Sequence, residues 1–270
     1  MSGSHARPIG VFDSGLGGLT VLRSLIDLLP GESMVYFGDT GRFPYGPKPR
    51  EEVLAHALEI TDVLLGHDVK ALVVACNSAA AAALDPLREQ LTIPVIGVIE
   101  PGLRAAARAT RSGRVGVIGT VGTIASGAYQ RIADEQETTI ELTCAACPGF
   151  VEFVEAGDVD SDQVHVLAER LLAPVCEAEV DTLVLGCTHY PLLARTIGDV
   201  MGRDVVLVSS ADETAFAVRD LLTSENMLAT EPARDPRHVF FTSGPVDTFR
   251  TLGVRFLGPE VAAVEPWHWG

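Results

Sequence analysis

Lysine is almost missing from this 270-residue chain: only Lys48 and Lys70 are present. Lysine and arginine together number 20 against 36 acidic residues, for a net charge of −16. That balance argues against a nucleic-acid surface, which needs clustered cations to meet phosphates. It favours solubility and says little more. Long apolar runs are also missing. Nothing reaches the ~18 residues of a membrane span, and Met1 to Pro8 carries no apolar leader core. The five cysteines are an odd number. Without a leader they predict a cytoplasmic protein with reduced thiols. Ligand-spaced metal motifs are scarce as well. Cys144-Ala145-Ala146-Cys147 is a lone CxxC with no second pair and no suitably spaced histidine, so no metal is expected.

What is present is a globular composition, 47 % hydrophobic, organised around one stretch that occurs twice. The first copy is Ala71-Leu72-Val73-Val74-Ala75-Cys76-Asn77-Ser78. The second is Thr182-Leu183-Val184-Leu185-Gly186-Cys187-Thr188-His189. Each is a short apolar run ending in a cysteine, then two hydrogen-bonding side chains, then a helix-like segment. Such runs read as buried parallel strands, and residues just past their carboxyl ends line the usual ligand crevice of an α/β sheet. Free cysteine is often simply buried packing. Two in matching contexts point instead to paired thiols in a cleft.

In chain order, Ile9 to Phe12 is a strand ending at Asp13-Ser14-Gly15-Leu16-Gly17-Gly18, and Leu19 to Leu29 is helical. The glycine spacing fits neither a dinucleotide fingerprint nor a P-loop. It suits close approach of a small anion to backbone N–H groups. Asp13, at the strand tip, is a candidate site carboxylate, its alternative use being an N-cap. Val35 to Thr40 is the next strand and tip, and the loop Arg42 to Pro49, with three prolines, is placed to wall a site. Ile93 to Ile99 reads as a strand, and Glu100-Pro101-Gly102 as a break where the chain crosses between domains. Gly113 to Thr123 then repeats the opening theme of strand and Gly-rich turn, which sets Thr120 and Thr123 against Ser14 and Gly17. Two uses fit Thr120 and Thr123, turn caps and substrate contacts. Glu155 could be a site carboxylate or a solvated helix end. Val205 to Ser209 is a strand, and Thr230 to Arg237 is loop-like. Trp267 and Trp269 form a tail that docks or frays.

These correspondences predict an α/β fold of two similar lobes with mainly parallel sheets, pseudo-twofold related around a central cleft. One lobe is residues 1–98 plus 208–270, carrying Asp13, Tyr45 and Cys76. The other is 99–207, carrying Glu155, Cys187 and His189.

Gly10-Val11-Phe12-Asp13-Ser14-Gly15, Gly38-Asp39-Thr40 with Pro44-Tyr45-Gly46, Ala75-Cys76-Asn77-Ser78, and Leu185 to Leu193 (LGCTHYPLL) resemble the glutamate racemases of the cofactor-independent aspartate/glutamate racemase superfamily. The resemblance spans essentially the whole chain. Where the family usually has Cys-Asn-Thr-Ala-Ser or Thr, this chain has Cys76-Asn77-Ser78-Ala79-Ala80. Ser78 keeps one hydroxyl and Ala80 loses another. The resemblance implies interconversion of L- and D-glutamate, with D-glutamate supplied to peptidoglycan. It implies Cys76 and Cys187 as the acid/base pair, Asp13 serving Cys76, and His189 with Glu155 serving Cys187. It also implies substrate contacts from Asp13, Ser14, Tyr45, Gly46, Asn77, Ser78, Thr188 and His189, and a homodimer. Some members of the family bind DNA gyrase as a side activity.

The chemistry agrees with that assignment. Racemisation removes the α-proton from one face of a substrate and returns one to the other, so two like groups on opposite faces suit it. A thiol with pKa about 8.5 is within reach of neutral pH. Pyridoxal chemistry needs a Schiff-base lysine. Lys48 lies in the Pro-rich loop and Lys70 precedes the Cys76 strand, so no cofactor is expected. Cys144, Cys147 and Cys176 are expected to tolerate replacement. Three other readings are weighed: a racemase of aspartate or another small acid, a two-lobed ligand-binding protein, and a hydrolase using Cys187 and His189, which leaves Cys76 unexplained.

Overall fold

The computed structural model describes residues 6–136, 139–229, 236–261 and 263–270. The start of the N-terminal stretch and most of the loop read at Thr230 to Arg237 lie outside the described residues.

The first half of the chain runs β1 (Ile9–Asp13), α1 (Leu19–Leu28), β2 (Met34–Gly38), α2 (Arg50–Leu65), β3 (Ala71–Val74), α3 (Asn77–Gln90), β4 (Val95–Gly97) and α4 (Ile99–Ala109). There follow β5 (Arg114–Gly119), α5 (Val121–Ala125), α6 (Ala128–Glu135), β6 (Glu141–Ala146), α7 (Phe150–Ala156), α8 (Asp162–Glu177) and β7 (Thr182–Gly186). A 3-10 turn, Tyr190–Leu193, leads into α9 (Ala194–Met201), β8 (Val206–Ser209), α10 (Ser210–Ser224), β9 (His238–Thr242), α11 (Val246–Phe256) and β10 (Val264–Pro266).

Among the described residues the strands form two sheets, both wholly parallel. The six-stranded sheet has the order β10-β9-β2-β1-β3-β4, and the four-stranded sheet the order β6-β5-β7-β8. The run β2-β1-β3-β4 in one and β6-β5-β7-β8 in the other are the same order written twice. The internal repeat of the sequence is therefore a repeat of topology. β1, β2, β3 and β7 are buried along their whole length, as parallel strands covered by helices on both faces must be.

Three local features depart from the sequence reading. Glu100-Pro101-Gly102, read as a break after the strand, does follow the end of β4 at Gly97, but it is not loop and lies in the first turn of α4. A proline there forfeits nothing, because first-turn N–H groups have no partner in the helix. Gly102 gives the room: a Cβ on it would press on Ser210 of α10, 2.9 Å away. The strand read at Ile93 to Ile99 is only Val95–Gly97. β6 carried no strand signal in the sequence. It is an edge strand, exposed or half-buried at five of its six positions, so its pattern lacks the apolar run of its neighbours.

Both lysines are held in ion pairs. Lys70 and Glu32, both buried, pair at 2.6 Å, and Lys70 also donates to the Met227 carbonyl at 2.7 Å. Lys48 pairs with Glu52 at 2.5 Å on the surface of α2. Among the described residues no helix is long and apolar enough to cross a membrane.

Candidate active site

β1 and β3 are neighbours with Phe12 opposite Val74, so Asp13 and Cys76 emerge side by side at one sheet's carboxyl edge. β5 and β7 are neighbours with Gly119 opposite Gly186, which sets Thr120 beside Cys187 at the other. The two edges meet over a cavity of about 100 Å³. Ser14, Cys76, Asn77 and Ser78 border it from one side, Thr120, Cys187, Thr188 and His189 from the other, and Tyr45 and Gly46 from the loop between β2 and α2. The meeting depends on Gly17. A Cβ there would overlap the Thr188 hydroxyl and the His189 ring.

Cys76 is the N-cap of α3. Its sulfur accepts from the Ala79 N–H at 3.5 Å and lies 3.5 Å from the Ser14 hydroxyl. α3 opens with a run of buried alanines, which lets the helix seat closely against β3, β4 and α5. Asp13 is fully buried. One carboxylate oxygen accepts from the Gly18 N–H at 3.2 Å, and the other has no partner. Burial pushes the Asp13 carboxyl above its ordinary value, against the pull of the His189 charge. Burial, together with the Asp13 charge, pushes the Cys76 thiol up to about 12. Cys76 is thus a thiol at neutral pH, with an unpaired carboxylate oxygen buried near it.

Cys187 has a different neighbour. His189 Nδ1 lies 3.8 Å from its sulfur, and His189 Nε2 lies 3.2 Å from Glu155 on α7. Burial alone would lower the His189 pKa. The hydrogen bonds to Cys187 and Glu155 outweigh it and push the imidazole up to about 10. The ring is flanked by Phe43 and Phe256, with centroids 6.0 Å and 5.7 Å away. At neutral pH an imidazolium therefore faces the Cys187 sulfur. Through Glu155 this group reaches a second cavity lined by Arg255 and Phe256.

The remaining candidates divide into cavity wall and support. Ser78, Thr120 and Thr123 form a triangle of hydroxyls at 2.9, 3.2 and 3.0 Å. Ser78 and Thr120 border the cavity; Thr123 is fully buried behind them. Thr120 also caps α5, as its turn-cap reading expected. Asn77 donates to the Tyr129 hydroxyl at 3.0 Å and leaves its carbonyl oxygen unpaired in the wall. That oxygen can accept from a substrate ammonium. Tyr45 turns its hydroxyl away to Asp39. Neither Asp13 nor Glu155 borders the cavity; Asp13 stands behind the wall near Cys76 and Glu155 behind His189. Ala80 packs toward Gly97 of β4, clear of the wall.

The structure adds wall residues that the sequence reading missed. Phe43, Pro44 and Pro47 belong to the proline-rich loop, whose composition signalled a wall without naming its members. Cys147, Pro148, Gly149, Val151 and Glu152 follow β6. Cys147 is buried, with its thiol pushed up to about 12 by burial and by Cys187. Their signal was a strand-tip position, hidden because the strand was. Cys144 sits apart and accepts from Gln130 at 3.3 Å, so the two members of the CxxC have separate surroundings. All five cysteines are free.

Residues 9–218 match the Asp/Glu/Hydantoin racemase family, and the chain belongs to that family. The relatives that it matches along nearly its whole length are glutamate racemases. That of Mycobacterium leprae is 53 % identical over 97 % of this chain and 96 % of its own. A crystal structure of a glutamate racemase isoform from Bacillus anthracis superposes with TM-score 0.93 at 45 % identity, covering 97 % of this chain and 98 % of that one. The Francisella tularensis glutamate racemase, solved in complex with D-glutamate, gives TM-score 0.90 at 35 % identity over 97 % and 98 % of the two chains.

Proposed function

We propose that this protein is a glutamate racemase, an isomerase that interconverts L- and D-glutamate by a two-thiol reaction needing no cofactor. The observation that carries the reading is the pair Cys76 and Cys187, at matching strand tips of a repeated topology and bordering one small cavity.

In this reading glutamate lies with its α-carbon between the two sulfurs. The Cys187 thiolate, facing the His189 imidazolium, takes the α-proton of L-glutamate, and the Cys76 thiol delivers its proton to the opposite face. D-glutamate results, and the thiolate now sits on Cys76. In the reverse direction Asp13 assists the proton's departure from Cys76. The carbanion is stabilised through its carboxylate, by the hydroxyls of Ser14, Ser78 and Thr188 and by backbone N–H groups of Tyr45, Gly46 and Asn77, with Thr120 and Thr123 in support. Proton transfer needs reacting atoms about 3–3.5 Å apart.

The lobes in this reading are residues 1–98 with 208–270, and 99–207. The six-stranded sheet lies within the first and β5, β6 and β7 within the second, which supports the division; β8 (Val206–Ser209) straddles the 207/208 boundary. A cytoplasmic homodimer supplying peptidoglycan synthesis completes the reading and rests on the family resemblance, as does any contact with DNA gyrase.

The test is incubation with each glutamate enantiomer in heavy water. Loss of optical rotation and α-deuteration of both enantiomers are expected, with aspartate much slower. Exchange absent from glutamate, or faster on aspartate, would sink the assignment.

A further inference from the structure

We infer that the C-terminal segment 267–270 is a strap that positions the Tyr45 wall of the cleft, acting through Asp39. This rests on the reading of that wall as part of the glutamate site. The tail is built into the sheet. β10 pairs with β9, β9 pairs with β2, and the Trp267 N–H extends the ladder to the Thr242 carbonyl at 2.7 Å. Trp267 and Trp269 then cross the end of β2, with Phe37 6.1 Å and 5.4 Å from their rings.

Beyond Phe37 and Gly38 stands Asp39, fully buried. Four side chains from three parts of the chain converge on its carboxylate. One oxygen takes the Arg42 Nε at 2.7 Å and the Tyr45 hydroxyl. The other takes the Ser243 hydroxyl at 2.6 Å and the Trp269 indole N–H at 3.1 Å. The Arg42 guanidinium lies 3.8 Å above the Trp269 ring. Trp269 therefore touches both members of the Asp39–Arg42 pair, one by hydrogen bond and one by stacking.

The consequence for the site follows from Tyr45. Burial and the Asp39 charge raise its phenol well above the ordinary value, so it remains a donor and its ring is fixed by Asp39. Phe43, Pro44, Tyr45, Gly46 and Pro47 of the same loop border the cavity. A buried carboxylate with every donor in place holds one orientation, and one that loses a donor does not. The tail thus sets the loop without touching substrate, and Asp39, Arg42 and Trp269 are positioning residues.

The decisive variant is Trp269→Phe, which keeps a ring over Arg42 and removes the N–H. Hydrogen exchange of the 40–49 amides in the ligand-free protein is expected to quicken about 3- to 10-fold, as loss of one net hydrogen bond gives. KM for glutamate should rise by a similar factor while kcat stays within about twofold, since the wall binds but does not move protons. Removing residues 267–270 should do both to a greater degree. Both tryptophans of the chain lie in this tail, so its indole emission reports docking alone, and saturating glutamate should shift it in the wild type but not in Tyr45→Phe. A merely structural tail would lower the melting temperature and leave loop exchange and KM unchanged. That result, or faster exchange with wild-type KM, would overturn the proposal. Wild-type protein unable to racemise glutamate would instead overturn the functional reading, and the exchange measurement would still decide the strap.

Discussion

Cys76 and Cys187 hold the same place in two copies of one strand order, yet their neighbours carry opposite charge. Beside Cys76 stands a buried carboxyl, Asp13. Beside Cys187 stands an imidazole whose pKa is pushed up to about 10, backed by Glu155. The topology is repeated but the electrostatics are not. A two-base reaction needs one thiol charged and the other protonated before substrate arrives, and two identical surroundings would leave that choice open. On the proposed two-thiol reading, the difference between the corners favours a protonated Cys76.

The strongest way to break the comparison is to delete either thiol. Cys76→Ala and Cys187→Ala should each lose racemisation by about 10³-fold or more, because every turnover uses both groups. Each variant, checked for folding, should still exchange the α-proton of the one enantiomer whose base remains. A folded variant with full racemisation would end the two-thiol account.

Changing the neighbours should sharpen the comparison. Asp13→Asn and His189→Asn are each expected to slow turnover by about 10²-fold, the lower part of the range for acid–base groups. L- and D-glutamate are equal in energy, so kcat/KM stays equal in the two directions. The asymmetry must show in kcat and KM taken separately. Asp13→Asn should depress kcat more from D-glutamate, and His189→Asn more from L-glutamate. Equal depression in both directions would mean that the corners do not divide the work.

A smaller effect concerns stability. The folded pKa of His189, about 10, lies above its ordinary 6.5. Between those values the native protein holds a proton that the unfolded chain has released, so stability from this group falls as pH rises. It is fully present below pH 6.5 and lost through about 10. The melting temperature of wild type over His189→Asn should accordingly be widest in mild acid and narrow toward pH 10. A gap that widens with pH would show His189 neutral in the native state.

The smallest effect is expected at Cys147. It borders the cavity, but the proposed reaction routes no proton through it. Cys147→Ser should keep activity within about threefold and cost about 1 kcal/mol for burying a hydroxyl, a fall in melting temperature of about 2–4 °C. A loss comparable to that of Cys187→Ala would make it a third member of the acid–base set.

The parts of this molecule legible in its sequence are those that bury two faces. β1, β2, β3 and β7 announce themselves as unbroken apolar runs, and the thiols follow because they end two of those runs. The edge strand β6 has no such run, so the wall segment Cys147 to Glu152 could not be placed. Pro101 read as a break after a strand, and the helix that starts around it was hidden because a proline in a first turn looks like loop. Asp39 was legible as a strand-tip residue but not as a hub, since Ser243 and Trp269 reach it from more than 200 positions away. The tail was legible only as two tryptophans without a place to go.

The repeated strand order has one further consequence, which concerns handedness. A chain of L-residues contains no mirror plane, so two copies of one fold unit can be related only by rotation and translation. The substrates of a racemase are mirror images, and their demand on the protein is a reflection that no protein can supply. Two turned copies of one unit come nearest, because they present the same kind of atom to opposite faces of a carbon. What rotation leaves unmatched must be made up one residue at a time, and an aspartate at one tip with a histidine at the other is that remainder.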